Sequence, residues 1–124
     1  MYNLERDRAR DWGGVSLDTY YSYHKISFVW DEGKNETNIR KHKISFQVAA
    51  AVFDDQQRLE FPDTLHSEEE ERYITIGLVH NILTVVYCDR DNPDTGNVDI
   101  RIISARRATK FEEEAYNNNI IGRY

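Results

Sequence analysis

Two apolar runs separated by only two residues constrain the fold of this chain more than any other feature. The runs are Arg72–Val79 and Ile82–Tyr87, and both are rich in the β-branched and aromatic residues that favour strands. The connection His80–Asn81 is short enough for a tight β-hairpin. Val98–Ser104 supplies a third strand after Asp89–Asn97, a stretch of turn-forming residues. The sequence therefore predicts an antiparallel meander in the second half of the chain.

The first half of the chain predicts a strand, two helices and an edge strand. Ile26–Trp30 has the composition of a strand, and Asp31 directly after it is a good helix N-cap. Ser45 is a second N-cap ahead of an apolar segment, and a C-terminal helix over Ala108–Asn118 is capped near Thr109. We therefore expect an α+β fold, in which an antiparallel sheet of about four to five strands is packed on one side by two N-terminal helices and one C-terminal helix. The remaining predicted elements are a helix from Asp31 to about Lys41, a helix over Phe46–Phe53 and the edge strand Arg58–Phe61.

Length and composition indicate one domain. A chain of 124 residues with 40% hydrophobic content is long enough for a single core and too short for two. Residues 1–24 differ in composition from the rest, so we predict an N-terminal extension of unknown role, in which Asn3–Trp12 has the charge spacing of a short helix, followed by a domain over 25–124. The single cysteine, Cys88, cannot form an internal disulfide, and no apolar run reaches the roughly 20 residues that cross a bilayer. A cytoplasmic protein without a membrane segment is expected.

Arginines at and beside the predicted core strands indicate an anion-binding surface. Arg101 alternates with Ile100 and Ile102, so its side chain should lie on the opposite face of the strand from theirs. Neighbouring strands could bring Arg72 and Arg106 to the same open face. Converging guanidinium groups bind a polyanion or a carboxylate-rich partner, whereas the alternative for each arginine alone is a solvated or ion-paired surface position. The net charge of -6 disfavours sequence-blind adhesion to nucleic acid, but it allows a local basic cleft.

Several motifs, in a fixed order, carry a resemblance to a known family. The motifs are WDEGKN, RKHKISF, VFDD, HSEEEERY, VVY and RIISARRAT. Over about Phe28–Tyr116 this order resembles the BrnT family of bacterial type II toxins. The chain departs from the usual family pattern at Lys43, where glycine is common, and in its N-terminal extension.

The resemblance implies both an activity and a partner. The activity implied is that of a small ribonuclease with a RelE-like fold. The partner implied is a BrnA-like antitoxin of the ribbon-helix-helix type, which would form a toxin–antitoxin heterotetramer with the toxin and would itself contact the operator DNA. The domain over 25–124 is then a BrnT-like toxin domain.

Cleavage of RNA without a metal needs one group that neutralises the phosphate and others that move protons, while the RNA 2′-hydroxyl attacks the phosphorus. The three arginines named above are the candidates for neutralisation. His42 is the preferred acid or base, because two flanking lysines favour its neutral form, although it could also interact with the exposed carbonyls at a helix C-terminus. Glu60 and Tyr87 are reserve candidates, and core packing is the stronger explanation for Tyr87. The predicted catalytic residues are His42, Arg72, Arg101, Arg106, Glu60 and Tyr87, and the predicted RNA-binding residues are Lys41, Lys43, Arg107 and Lys110.

No cofactor or metal is expected, because the four histidines lack paired ligand spacing and the chain has no glycine-rich phosphate loop. Two functions remain in competition. The first is a metal-independent endoribonuclease toxin. The second is a binding module without catalysis, which would use the same arginines to dock an acidic peptide or would act as an antitoxin-bound co-repressor.

Overall fold

The computed structural model describes residues 17–68 and 70–121. In this part of the chain the strands form one six-stranded sheet in the order β1-β2-β6-β5-β4-β3. The elements, in chain order, are β1 (Asp18–Tyr23), β2 (Ile26–Asp31), α1 (Glu32–His42), α2 (Phe46–Ala50) with a 3-10 turn (Ala51–Asp54), β3 (Leu59–Pro62), β4 (Tyr73–Leu78), β5 (Ile82–Asn92), β6 (Asn97–Arg107) and α3 (Lys110–Ile121).

The α+β class is confirmed, but the predicted sheet of four to five antiparallel strands is wrong in two respects. A sixth strand, β1, comes from the end of the segment assigned to the N-terminal extension and pairs with β2. The sheet is also mixed, because β2 runs parallel to β6 through the pairs Phe28–Ile100 and Val29–Arg101. Residues 1–16, including the predicted helix Asn3–Trp12, lie outside the described residues.

The helices begin where the sequence predicts. The carboxylate of Asp31 accepts a hydrogen bond from the Lys34 amide at 2.9 Å, and the Ser45 hydroxyl accepts one from the Val48 amide at 3.1 Å. α1 ends at Lys43, which adopts the left-handed conformation with φ 62°. Glycine is the residue that this conformation favours.

The core lies between one face of the sheet and the two N-terminal helices. Trp30 and Phe46 are fully buried there and pack edge to face, with ring centroids 5.8 Å apart. Leu83 and Val85 of β5 project to the same face. None of the helices in the described ranges has the length and apolar composition to span a membrane.

A buried asparagine joins α1 to the edge of β6. Beyond the short parallel pairing with β2, no strand of the described residues pairs with β6 on that side, and the Asn38 side chain bonds to its backbone instead. Its amide oxygen accepts from the Ala105 amide at 3.1 Å, while its nitrogen donates to the carbonyls of Ala105 at 2.7 Å and Ile44 at 2.9 Å. Asn38 is therefore structural, because it satisfies backbone groups that would otherwise be buried without a partner.

The hairpin of β5 and β6 is longer than predicted. Asp89–Asn92, expected to be part of a turn, belongs to β5, and the turn itself is limited to residues 93–96. Within the hairpin, Val86 pairs with Ser104 and Tyr87 pairs with Ile102, so Ile103 is left over as a β-bulge. The bulge changes which residues of β6 share a face.

The C-terminal helix is on the other side of the sheet from α1 and α2. Its residue Glu112 contacts the side chains of Thr84 and Arg106, which project from the face opposite Val85. The expectation that all helices pack on one side is therefore wrong. An amphipathic pattern predicts that a helix packs, but it does not say on which face of a sheet.

Candidate functional site

The sheet face opposite α1 and α2 carries four arginines, and we call it the arginine face: Arg72, Arg90, Arg101 and Arg106. Cys88 of β5 pairs with Arg101 of β6. Since Tyr73 of β4 pairs with Tyr87 of β5, Arg72 lies level with Cys88 on the side of β4, across from Arg101. Neighbouring strands are about 4.8 Å apart, so Arg72 and Arg101 flank Cys88 with their backbones roughly 10 Å apart.

Carboxylates lie beside three of these arginines and hydrogen-bond two of them. Arg101 pairs with Asp18 of β1 at 3.0 Å and is only 17% exposed. Arg90 pairs with Glu70 at 3.0 Å, and Arg72 lies 3.9 Å from the same carboxylate. The Nε atom of Arg72 is buried without a hydrogen-bond partner in the described part of the chain. Among the described contacts of this face, Arg72 therefore has the longest carboxylate contact of the four guanidinium groups.

Arg106, in contrast, pairs with a residue of the C-terminal helix. Its two terminal nitrogens donate to the two carboxylate oxygens of Glu112 at 2.8 and 3.0 Å. Hydrogen bonds from Arg106 lower the pKa of Glu112 to about 2, and the same pair raises the pKa of Arg106. Thr109 and Glu112 also exchange hydrogen bonds as a capping box. Arg106 thus anchors the start of α3, a role that the sequence analysis did not foresee.

The predicted residues of the RKHK segment line a cleft between α1 and β6. Its volume is about 430 Å³, and Lys41 and His42 form one wall while Ser104 of β6 forms part of the other. Ser104 is on the same face as Arg101, so the cleft opens beside the arginine face. In the described residues, His42 makes no hydrogen bond to any of the four arginines. A neighbouring hollow of about 170 Å³ is lined by His42, Lys43 and Arg107.

Glu60 and Tyr87 lie on the helix-covered face, away from the arginines. The Tyr87 hydroxyl donates to Glu60, and Arg58 pairs with the same carboxylate at 2.7 Å. Burial, followed by this hydrogen bond, raises the pKa of Tyr87 well above its ordinary value. Tyr87 also packs against Phe53, with ring centroids 5.0 Å apart. The sheet therefore separates this pair from Arg72 and Arg101.

His66, which was not among the predicted site residues, shares a pocket with Arg72. The Nδ1 atom of His66 is 3.1 and 3.2 Å from the two carboxylate oxygens of Asp63. A small pocket of about 120 Å³ is lined by His66, Glu68, Glu70 and Arg72. The spacing Asp-x-x-His, immediately before the acidic run, was the available signal.

Two other cationic residues, Arg90 and Lys110, also bear on the site. Arg90 was missed because its segment was interpreted as a turn, although it continues the alternation of Cys88 along β5. Lys110, a predicted RNA contact, is exposed at the first position of α3. The described residues contain no cluster of three or more histidine, cysteine or acidic side chains that could hold a metal ion.

These features define a small α+β protein with one sheet face buried under helices and the other lined with arginine. A family model described as ribonuclease toxin, BrnT, of type II toxin-antitoxin system matches residues 30–112, more than half of the chain. The chain belongs to this family, and the resemblance seen in the sequence motifs is confirmed. A search of curated proteins finds no match to the chain. Membership indicates a ribonuclease toxin and implies an antitoxin partner.

Proposed function

We propose that the protein is a metal-independent endoribonuclease that binds RNA on the arginine face and cleaves it by attack of a 2′-hydroxyl on the adjacent phosphorus. The observation that carries the proposal is the placement of Arg72 and Arg101 on either side of Cys88, on one face of the sheet. Two guanidinium groups at this spacing can contact a phosphate from both sides. They would stabilise the extra negative charge of the pentacoordinate transition state.

The carboxylates on this face fit such a role. Asp18 pairs with Arg101 and Glu70 pairs with Arg90, so each carboxylate lies beside a guanidinium of this face. The contact of Glu70 with Arg72, at 3.9 Å, is too long for a hydrogen bond. A phosphate oxygen can therefore approach Arg72 without first displacing a strong partner.

The cleft beside α1 extends the same surface. RNA that crosses the arginine face at Ser104 would continue along Lys41 and His42. Lys43, Arg107 and Lys110 are further proposed contacts to the backbone phosphates. His42 remains a candidate for proton transfer. Glu60 and Tyr87 are on the wrong face for contact with this RNA, and we assign them a packing role.

The same face is the proposed target of the antitoxin. Between the rows of Arg101 and Arg106 lies an apolar floor formed by Phe61, Ile74 and Val86, with Phe61 41% exposed. A BrnA-like antitoxin segment with apolar anchors and acidic side chains would cover both features and exclude RNA. A dimeric ribbon-helix-helix antitoxin would give a two-plus-two assembly that contacts operator DNA through the antitoxin.

The test is cleavage of single-stranded RNA by the purified chain in the presence of a chelator. The wild-type chain should cleave, and Arg101→Ala should reduce the rate on the order of 10²–10³-fold, as expected for loss of one transition-state contact. Lys25→Gly is the matched control, because it also removes one positive charge, at an exposed turn with φ 70° that glycine adopts readily. Tight RNA or acidic-peptide binding without cleavage would instead support the non-catalytic module. Loss of cleavage on chelation would contradict the metal-independent reaction.

A further inference from the structure

We infer that His66, oriented by Asp63, accepts the proton of the attacking 2′-hydroxyl beside Arg72. This inference rests on the proposed ribonuclease function and names a proton-transfer group for it. Neither residue was a candidate from the sequence, and the family description assigns no role to either.

Asp63 has the properties of a group that orients an imidazole. It is 8% exposed, and both of its carboxylate oxygens face His66 Nδ1. With Nδ1 donating to Asp63, Nε2 carries the lone pair and is free to act as a base. The His66 side chain is 66% exposed, so Nε2 is accessible to a substrate.

The loop that carries His66 is fixed relative to Arg72. The Asp63 amide donates to the Arg72 carbonyl at 2.8 Å, which extends the pairing of β3 and β4 by one step. The Ser67 hydroxyl donates to the Asp63 carbonyl at 2.7 Å and accepts from the Arg72 amide at 3.0 Å. Because these bonds join the backbones at residues 63 and 72, the loop that carries His66 is positioned against the start of β4, which favours preorganised catalysis.

The pocket between them has a suitable size. At about 120 Å³ it is much smaller than the roughly 300–1,000 Å³ sites that enclose a whole small molecule. It can accept one sugar–phosphate unit of a chain that continues over the surface. Glu68 and Glu70 in its wall disfavour free anions, so Arg72 and Arg101 together must supply the attraction for the phosphate.

The other histidines are placed less well for this task. His24 is paired with Asp54 at 2.7 Å, next to the helix-covered face. His42 and His80 share a hollow with Arg107, which is not part of the arginine face. In the described pockets, only His66 shares a wall with one of the four arginines of that face.

The chemical step balances without a cofactor. Nε2 of His66 takes the 2′-hydroxyl proton, the 2′-oxygen forms a bond to phosphorus, and the bond from phosphorus to the 5′-oxygen breaks. The 5′-oxygen takes a proton from water, and the imidazolium later returns its proton to solvent. The products are a 2′,3′-cyclic phosphate and a 5′-hydroxyl.

The experiment measures RNA cleavage by wild type, His66→Ala, His80→Ala and Arg101→Ala, together with binding of 2′-O-methyl RNA, which lacks the nucleophile. His66→Ala should lower the rate on the order of 10²–10⁴-fold with unchanged binding, and added imidazole should restore part of the rate. His80→Ala, at an exposed histidine outside the proposed site, should cleave like the wild type. If His66→Ala cleaves normally while Arg101→Ala does not, the inference fails and the proposed function stands. If the wild type does not cleave, both fail.

The positioning role of Asp63 is tested by a double-mutant cycle. Asp63→Asn should lower the rate in the wild-type background and have no further effect in His66→Ala, because Asp63 acts through the imidazole. A merely structural role would reduce the rate by the same factor in both backgrounds, and that result would overturn the assignment of Asp63. Melting temperatures of all variants check that each one is folded.

Discussion

Arg101 and Arg106 project from the same face of the sheet, although strict alternation along a strand would place them on opposite faces. The β-bulge at Ile103 adds one residue to β6, and this extra residue returns Arg106 to the face that carries Arg101. Their partners give the two arginines different roles. Arg101 pairs with Asp18 of β1, which is two strands away in the sheet, whereas Arg106 pairs with Glu112 at the start of α3.

The pair of Arg106 with Glu112 predicts that a substitution at Glu112 lowers the stability of the fold. Glu112→Gln should lower the free energy of unfolding by about 1–2 kcal/mol at pH 7, because it removes a charged, two-pronged pair that is partly exposed to solvent. Urea denaturation measures this effect. Glu114→Gln, at an exposed position of the same helix, should leave the stability unchanged.

The same pair predicts a pH dependence. The pKa of Glu112 is about 2 in the folded chain against an ordinary value of 4.5, so its stabilising effect is complete above about pH 5 and is lost as the pH falls toward 2. The stability difference between wild type and Glu112→Gln should therefore shrink over this range. A difference that stays constant from pH 7 to pH 2 would contradict the ion pair.

The left-handed residue at the end of α1 predicts a stabilising substitution. Lys43→Gly should raise the free energy of unfolding by about 0.5–1 kcal/mol, because relief of about 1–2 kcal/mol of strain exceeds the roughly 0.4–1 kcal/mol of added entropy in the unfolded chain. Lys41→Gly, inside the last turn of the same helix, should instead destabilise by about 1 kcal/mol. If both substitutions destabilise equally, Lys43 is not strained.

Cys88 lies between Arg72 and Arg101, yet we predict that its thiol takes no part in cleavage. It is fully buried, and burial raises the pKa of its thiol. Alkylation at pH 8 should be much slower in the native protein than in denaturant, and Cys88→Ala should still cleave RNA. Rapid native alkylation, or loss of cleavage in a folded Cys88→Ala variant, would assign the thiol a direct role.

The parts of this structure that local chemistry determines were predictable from the sequence. Asp31, Ser45 and Thr109 cap helices because their side chains bond amides only three residues away, and the alternation around Arg101 places Ile100 and Ile102 on its other side. The arrangement of the strands was harder to predict from the sequence. The parallel pairing of β2 with β6 joins segments far apart in sequence, and no local pattern encodes it.

In the candidate site, too, local features could be predicted from the sequence and long-range contacts could not. The arginines were recognised by residue type, but their common face depends on the bulge at Ile103, which alternation alone does not reveal. Arg90 was hidden in a segment whose asparagine, proline and glycine favour a turn. The contact between Asp63 and His66 is local, but the placement of this pair near Arg72 depends on how the loop after β3 pairs with the start of β4, which is a tertiary contact.

The central claim is that Arg101 contacts an RNA phosphate, and the salt dependence of binding tests it most directly. The affinity for single-stranded 2′-O-methyl RNA is measured over a range of salt concentrations for wild type, Arg101→Ala and Lys25→Gly. Loss of one phosphate contact should reduce the slope of log K against log salt by about 0.7 in Arg101→Ala and leave it unchanged in Lys25→Gly. Equal slopes for wild type and Arg101→Ala would contradict the account.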